Sequence, residues 1–249
     1  MSFEYYLRSG NQMLRCGYTT GTCAALASSG AATLLLSGKE PDTLQLITPK
    51  GLSVEVEPAF CCMEKNTAVC AVRKDAGDDP DVTDGILIKA TITRIAEGIV
   101  IDGGEGIGRV TKPGLDQPVG TAAINSVPRK MIREAVEKII DSAGYRKGLR
   151  IIISAPGGAE IAKRTFNPQL GIEGGISILG SSGIVEPMSE RALIETTALE
   201  IRQAAASGSK RLILLPGNYG MDFLTNNLPV SGSLTSATRP FSSISRSTE

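Results

Sequence analysis

The sequence predicts an α/β protein with two domains, a mixed α+β domain followed by a parallel-sheet α/β domain. In the first half, apolar and polar residues alternate in segments typical of sheet strands. In the second half, short continuous apolar runs end in glycine-rich turns, which is typical of βαβ units. The chain has 249 residues, 41% of them apolar, enough for a substantial core.

The N-terminal domain is expected to cover residues 1–145 as a mixed sheet with packed helices. Its first helix is predicted over residues 23–36, with Thr22 as the N-cap. A second amphipathic helix is predicted over residues 127–142, with Pro128 in its first turn. The predicted strands are a hairpin over 43–48 and 53–57, then 68–73, 86–95 and 99–101.

The C-terminal domain is expected to cover residues 146–224 as a three-layer parallel sheet. Apolar runs at 149–154, 176–179 and 212–215 predict three strands, and residues 187–206 have the length and period of a helix. Residues 225–249 are rich in serine and threonine, without an apolar period, and predict a disordered tail. Three parallel strands make a thin domain, so we expect this domain to be incomplete.

Charge and residue usage exclude several classes of protein and site. Lys plus Arg and Asp plus Glu both number 26, so the basic excess of nucleic-acid or membrane-surface proteins is missing. Histidine is absent, which excludes His-based nucleophile pairs and imidazole metal sites. The 5 cysteines lack metal-site spacing and suit a reducing cytoplasm. We expect a cytoplasmic protein without a protein-bound metal or membrane partner.

The acidic loop, residues 74–85, is the first candidate site. It carries Asp75, Asp78, Asp79, Asp81 and Asp84, whose mutual repulsion requires compensation. Three explanations remain open: a solvated turn with Asx-type hydrogen bonds, a hard cation, or carboxylates that accept a proton or hold a cationic ligand.

The glycine loop, residues 103–114, is the second candidate. It contains G-x-G-x-G but lacks the full dinucleotide fingerprint, in which the glycines open directly into a helix. Its backbone amides, with Arg109 and Lys112, suit carboxylates or phosphates. A flexible lid or a plain connection explains the glycines equally well.

Two further candidate ligand sites are the glycine-rich turns of the second half and the start of the first predicted helix. Glycine-rich turns follow the three predicted parallel strands, and ligands bind at that edge of open α/β sheets. The residues concerned are Gly157, Gly158, Gly180, Ser181, Gly217, Asn218 and Tyr219. Thr19 and Thr20 precede the first helix, where free amides favour an anion, although ordinary capping by Thr22 with Cys23 as a packing residue is an equal alternative.

Six segments together resemble the CbiD family. They are residues 15–25, 74–85, 103–115, 123–132, 165–189 and 216–223, and they occur in the family's order. The resemblance implies methyl transfer from S-adenosylmethionine to ring carbon 1 of cobalt-precorrin-5B, giving cobalt-precorrin-6A, with the cobalt carried by the substrate. Such a transfer needs alignment and a favourable field rather than a histidine or a metal.

The resemblance also suggests residue roles. Asp75, Asp78, Thr19 and Thr20 are expected to be catalytic, and the seven turn residues are expected to bind S-adenosylmethionine. The carboxylates of the macrocycle would be bound by Arg15, Gly106, Gly108, Arg109, Lys112, Asn125 and Arg129.

Two departures from the family pattern raise alternatives. Residues 120–126 read Gly-Thr-Ala-Ala-Ile-Asn-Ser, where the family has Gly-Glu-Pro-Ala-Ile-Asn-Pro. Family members also continue past the motif at 216–220, whereas residues from 225 resemble nothing in the family, so a truncation is expected. The alternatives are a non-catalytic corrinoid-binding protein, an inactive truncated homologue, or an unrelated nucleotide-binding transferase that uses the glycine loops.

Overall fold

The computed structural model describes residues 3–206 and Gly208. Two compact units are separated between Glu190 and Arg191, and the fold below is that of the first unit. Of the second unit, the described part consists mainly of helix α4.

The described residues form short strands around one larger sheet. The helices are α1 (Thr20–Ser37), α2 (Ser126–Ser142), α3 (Gly158–Ala162) and α4 (Glu190–Ala206). The strands are β1 (Tyr6–Ser9), β2 (Gln12–Arg15), β3 (Gly17–Tyr18), β4 (Leu44–Ile47), β5 (Ser53–Val56), β6 (Phe60–Glu64), β7 (Thr67–Arg73), β8 (Leu87–Ile95), β9 (Ile99–Gly103), β10 (Arg109–Val110), β11 (Gly148–Ser154), β12 (Ile172–Glu173) and β13 (Ile184–Val185). No described helix has both the length and the apolarity to span a membrane.

The central sheet has the strand order β6-β7-β8-β11-β9. Every neighbouring pair is antiparallel except β11 and β9, which run parallel. Alternation along β8 buries Ile88, Ala90 and Ile92 on one face, as expected for a sheet covered mainly on one side. Strand β11 buries Leu149, Ile151 and Ile153 in the same core.

Helix α1 lies across this sheet and against α2, and it is buried along most of its length. Its small residues permit this close approach. A side chain at Gly30 would meet the Cys70 sulfur, and one at Gly21 would meet the Pro128 ring. The helix therefore shows no single apolar face, because neighbouring elements cover almost all of its surface.

Most N-terminal elements match their predictions. The hairpin, the strands at 68–73, 86–95 and 99–101, and helix α2 are confirmed within one or two residues. Helix α1 starts three residues earlier than expected, and its N-cap is Thr19 rather than Thr22. The error arose because Thr19 and Thr22 are both good capping residues, and only contacts with a distant segment choose between them.

The second half differs from the expected separate parallel domain. Strand β11 lies inside the central sheet and pairs antiparallel with β8, because β8 exposes an edge that the apolar run at 149–154 covers. Residues 176–179 form no strand, and Ile176 and Ile178 make only isolated parallel bridges to Ile107 and Ile124. The predicted helix at 187–206 appears as α4. The predicted strand at 212–215 and the predicted tail lie outside the described residues.

Candidate functional site

The N-terminus of α1 is joined to a segment about 160 residues later in the chain. Thr20 Oγ1 accepts a hydrogen bond from the Leu179 amide at 3.0 Å. The Gly21 amide donates to the Leu179 carbonyl at 3.0 Å, and the Thr22 hydroxyl donates to the Gly183 carbonyl at 2.6 Å. Residues 179–183 therefore satisfy several of the backbone and hydroxyl groups at this helix end.

A cavity of about 160 Å³ opens beside this helix end, and we call it the α1 cavity. Its polar lining comes from three distant parts of the sequence: Thr19 and Thr20, then Lys74, Asp81 and Thr83, then Thr165, Asn167 and Ser177. A larger cavity of about 410 Å³ lies between α1, α2 and β4, but Lys138 is the one charged residue among those that line it. The smaller cavity is the better candidate site because it gathers buried polar and charged groups.

Lys74 and Asp81 form an ion pair in the wall of the α1 cavity. Lys74 Nζ lies 2.8 Å from Asp81 Oδ2, and the two side chains are 2% and 26% exposed. Burial opposes ionisation of Asp81, but the Lys74 charge and hydrogen bonds from Lys74 and Thr83 outweigh it and lower the pKa of Asp81. The Thr83 amide and hydroxyl both donate to Asp81 Oδ1 at 2.7 Å.

Asn167 and Ser177 form another polar part of the wall. The Ser177 hydroxyl donates to Asn167 Oδ1 at 3.1 Å, and Asn167 Nδ2 donates to the Gly175 carbonyl at 2.9 Å. Both residues are buried. Lys74 and Asp81 belong to the acidic loop that the sequence indicated as a candidate site, but neither was given a role of its own. Asn167 and Ser177 were not singled out, although both lie inside a segment that carries the family resemblance.

The acidic loop is compensated by hydrogen-bond donors rather than strained by repulsion. Asp75 accepts two bonds from the Arg15 guanidinium, at 2.6 and 2.8 Å, and one from the Gly77 amide at 2.8 Å. The Arg15 side chain is the largest cause of the lowered pKa of Asp75. Asp78 accepts from the Arg15 amide at 2.6 Å, and Asp84 from the Ala76 amide at 2.8 Å. These donors supply the compensation that the density of aspartates requires.

Asp79 is the exception within the acidic loop. Burial raises the pKa of Asp79, and the nearby Asp81 charge adds to the effect, while the Met188 amide and Lys74 oppose it. The region around the α1 cavity thus combines one ammonium group with two carboxyl groups. Among the described residues, no cluster of three or more carboxylate or thiol side chains is arranged to hold a metal ion.

The glycine loop is packed against backbone. A Cβ atom at Gly106 would lie 1.9 Å from the Ala155 carbonyl oxygen, and one at Gly158 or Gly175 would lie within 2.3 Å of the Gly106 carbonyl oxygen. A Cβ at Gly108 would meet the Ile172 side chain at 2.4 Å. These glycines permit chain segments to cross closely, so packing alone accounts for them.

Arg109 and Arg129, two of the cations expected to bind substrate carboxylates, have protein partners. Arg109 pairs with Asp102 at 3.1 Å and is 46% exposed. Arg129 donates to the carbonyls of Ile124 and Ile101, both at 2.9 Å. The Lys112 side chain lies over Gly171. Asn125 is the N-cap of α2 but makes no side-chain capping bond there.

The glycine-rich turns contact different neighbours. Gly158 lies beside Gly106, whereas a side chain at Gly180 would collide with Thr19. Gly157 is the N-cap of the five-residue helix α3, and Ser181 is exposed. Gly217, Asn218 and Tyr219 lie outside the described residues. The sequence predicted that the glycine-rich turns share one edge of a parallel sheet. The two described turns, at 157–158 and 180–181, instead contact different parts of the fold.

Cys23 is fully buried in the core beside this site. Burial raises the pKa of its thiol to about 12, so the reactive thiolate is scarce at neutral pH. This agrees with the interpretation of Cys23 as a packing residue.

Comparisons with known proteins give a consistent result. The family model named CbiD matches residues 7–187. The chain is 50% identical over 220 residues to the cobalt-precorrin-5B C(1)-methyltransferase of Ruminiclostridium cellulolyticum, covering 88% of this chain and 57% of that protein. It is 47% identical over 221 residues to the protein of the same name from a Thermoanaerobacter species, covering 88% and 60%.

A solved structure is also similar. The cobalamin biosynthesis protein CbiD from Archaeoglobus fulgidus, a crystal structure at 1.9 Å, matches with 34% identity and a TM-score of 0.58. The match covers 78% of this chain and 62% of that one. The chain thus spans about 60% of the length of the relatives it matches.

Proposed function

Because the chain belongs to the CbiD family, we propose that it takes part in S-adenosylmethionine-dependent methylation of ring carbon 1 of cobalt-precorrin-5B, which gives cobalt-precorrin-6A. One observation carries this proposal: the α1 cavity is built from three of the segments that resemble the family. Thr19 and Thr20 come from residues 15–25, Lys74 and Asp81 from 74–85, and Asn167 and Ser177 from 165–189. Segments that are distant in sequence meet there around buried polar groups, as expected for a ligand site.

The residues present fit a cationic methyl donor. Its sulfonium supplies an electrophilic methyl group, so the protein must align two reactants and provide a favourable field. Asp81 in the wall of the α1 cavity offsets a positive charge there, and Thr19 and Thr20 add to its polar lining. The cavity is smaller than the roughly 300–1,000 Å³ typical of a whole-ligand pocket, so it holds only part of either reactant.

Methyl transfer to cobalt-precorrin-5B tests the proposal. The chain should convert the substrate with S-adenosylmethionine, and mass spectrometry should find one added methyl group per macrocycle. Ser177→Ala should lower turnover, while Lys130→Met, on the exposed surface of α2, should not. Binding of the tetrapyrrole without methyl transfer would support the corrinoid-binding alternative, which the enzyme names of the relatives disfavour.

We also propose that the reaction takes place in the cytoplasm, without nucleic-acid or membrane partners. All five cysteines are free thiols, and opposite charges balance along the sequence. Both features suit a reducing compartment and a small-molecule substrate. Fractionation of cells that produce the chain should find it in the cytosolic fraction.

A further inference from the structure

The ion pair in the α1 cavity retains unused binding capacity. An ammonium group has three donors, and among the described residues Lys74 Nζ uses one of them, on Asp81. Asp81 Oδ2 accepts from Lys74, and a carboxylate oxygen has room for a further donor. The Thr20 and Ser177 hydroxyls line the same space. A ligand in the cavity can therefore bind both charges without displacing their mutual contact.

The size of the cavity limits which part of a reactant enters. At about 160 Å³ it is too small for a tetrapyrrole or for a whole adenosyl sulfonium compound. It accommodates one polar end of such a molecule. Two ends are chemically available: a carboxylate arm of the macrocycle, or the amino-acid end of the methyl donor.

The local charges distinguish these two ends. Asp81 lines the cavity beside Lys74, so a lone carboxylate would meet one carboxylate and one ammonium group in the wall and would gain little net attraction. An amino-acid end carries a carboxylate and an ammonium group on one carbon atom, which complements a Lys–Asp pair whose charged atoms lie 2.8 Å apart. The arms of a tetrapyrrole carry carboxylates alone.

We infer that the α1 cavity binds the amino-acid end of the sulfonium methyl donor, with Lys74 facing its carboxylate and Asp81 its ammonium group. This inference rests on the proposed function, because that function supplies the donor. Lys74 and Asp81 are binding residues in this assignment, and the methyl group remains outside the cavity they line. This assignment places the methyl donor at the start of α1, whereas the sequence predicted that the glycine-rich turns bind it.

Calorimetry with truncated ligands tests the inference on the unaltered chain. S-adenosylhomocysteine should bind about 10- to 100-fold more tightly than 5′-methylthioadenosine, which lacks the amino-acid end, since charge-assisted hydrogen bonds are lost. Decarboxylated S-adenosylmethionine should bind about 10-fold more weakly than S-adenosylmethionine. Equal affinities within either pair, or no binding of S-adenosylhomocysteine at millimolar concentration, would overturn the inference.

Variants assign the effect to the ion pair. Lys74→Met should weaken S-adenosylhomocysteine binding at least 10-fold and leave 5′-methylthioadenosine binding unchanged. Lys130→Met removes a lysine from an exposed pair and should alter neither. Thermal melts establish that the variants are folded, and if Lys74→Met does not fold, the ligand series on the unaltered chain decides the question.

Two further results separate this inference from its alternatives. If Lys74→Met weakens binding of uroporphyrin but not of S-adenosylhomocysteine, the cavity holds a carboxylate arm and the inference is overturned. If the chain transfers the methyl group but the amino-acid end contributes nothing to ligand affinity, the inference is overturned and the proposed function stands. The expected binding pattern without any methyl transfer would support the inference and overturn the proposed function.

Discussion

The acidic loop and the glycine loop have similarly suggestive sequences but very different surroundings. The acidic loop contributes Lys74 and Asp81 to the wall of a cavity. In the glycine loop, Gly106 lies against the backbone of residues 155–158 and 175, where little space remains for a ligand. The comparison teaches that the residue types of a motif do not show whether it binds a ligand or only packs against its neighbours. Both roles require small residues and charges that have partners.

The cations of the two loops show the same contrast. Lys74 is almost fully buried and lines open space, whereas Arg109 is half exposed and paired with Asp102 on the surface. Removing one partner should therefore destabilise the fold more in the Lys74–Asp81 pair than in the Arg109–Asp102 pair. A buried charge that loses its partner retains a large desolvation penalty, while an exposed charge is solvated by water.

The largest expected effect is on packing in the glycine loop. Gly106→Ala should lower the free energy of unfolding by about 4 kcal/mol, because the new Cβ collides with the Ala155 carbonyl at a positive φ of 72°. Gly120→Ala is the matched control. Its φ is 88° with open space around it, and it should cost about 1 kcal/mol. Equal losses in urea unfolding would contradict the packing explanation.

The next effect sharpens the contrast between the two ion pairs. Lys74→Met should cost about 3 kcal/mol, because it leaves Asp81 without its cation in a largely buried position. Arg109→Met should cost less than about 0.5 kcal/mol. The double variant Lys74→Met/Asp81→Leu should regain part of the loss, since no unpaired charge remains. Similar losses for the two single variants would show that burial does not distinguish the pairs.

The acidic loop should also respond to pH. The pKa of Asp75 is lowered in the folded state, so the Arg15–Asp75 pair stabilises the fold above about pH 4 and the gain is lost as the pH falls further. Arg15→Gln should therefore cost about 2 kcal/mol at pH 7 and much less near pH 2. Arg8→Gln, at an exposed arginine, is the control. A cost that stays constant across this range would rule out the assigned ion pair.

The smallest effect concerns the two helix starts. Thr19→Ala should cost about 1 kcal/mol, because Thr19 Oγ1 accepts the Thr22 amide at the N-terminus of α1. Asn125→Ala should cost less than about 0.3 kcal/mol, because its side chain makes no capping bond to α2. Thermal unfolding compares them directly. A larger loss at Asn125 would reverse the assigned capping roles.

The sequence correctly predicted the secondary-structure elements that have a strong local pattern. The 43–57 hairpin alternates and has a glycine turn, and α2 has a clear apolar face, so both were placed within one or two residues. Strand β11 was found as a strand but assigned to the wrong sheet. A continuous apolar run indicates burial on both faces, and it does not identify the neighbouring strands.

For the candidate site, the sequence indicated three of the segments that line the α1 cavity but not several of the side chains found there. Thr19 and Thr20 were predicted and do line the α1 cavity. Asn167 and Ser177 were missed, and Lys74 and Asp81 were included only as members of the acidic loop without a role of their own, because each is an ordinary polar residue until another segment buries it. Arg129 was predicted to bind substrate, but its donors are used by backbone carbonyls that meet it only in the fold.

The sequence by itself determined the family, the mixed α/β class and the segments from which the site is built, since these depend on residue type and local spacing. Tertiary structure alone decided that β11 completes the central sheet, and that residues 177–183 cover the start of α1. It also decided that Lys74 and Asp81 face a cavity while Arg109 faces solvent. The physical reason is that burial and charge pairing depend on which segments pack against one another in the folded chain, and local periodicity does not encode those neighbours.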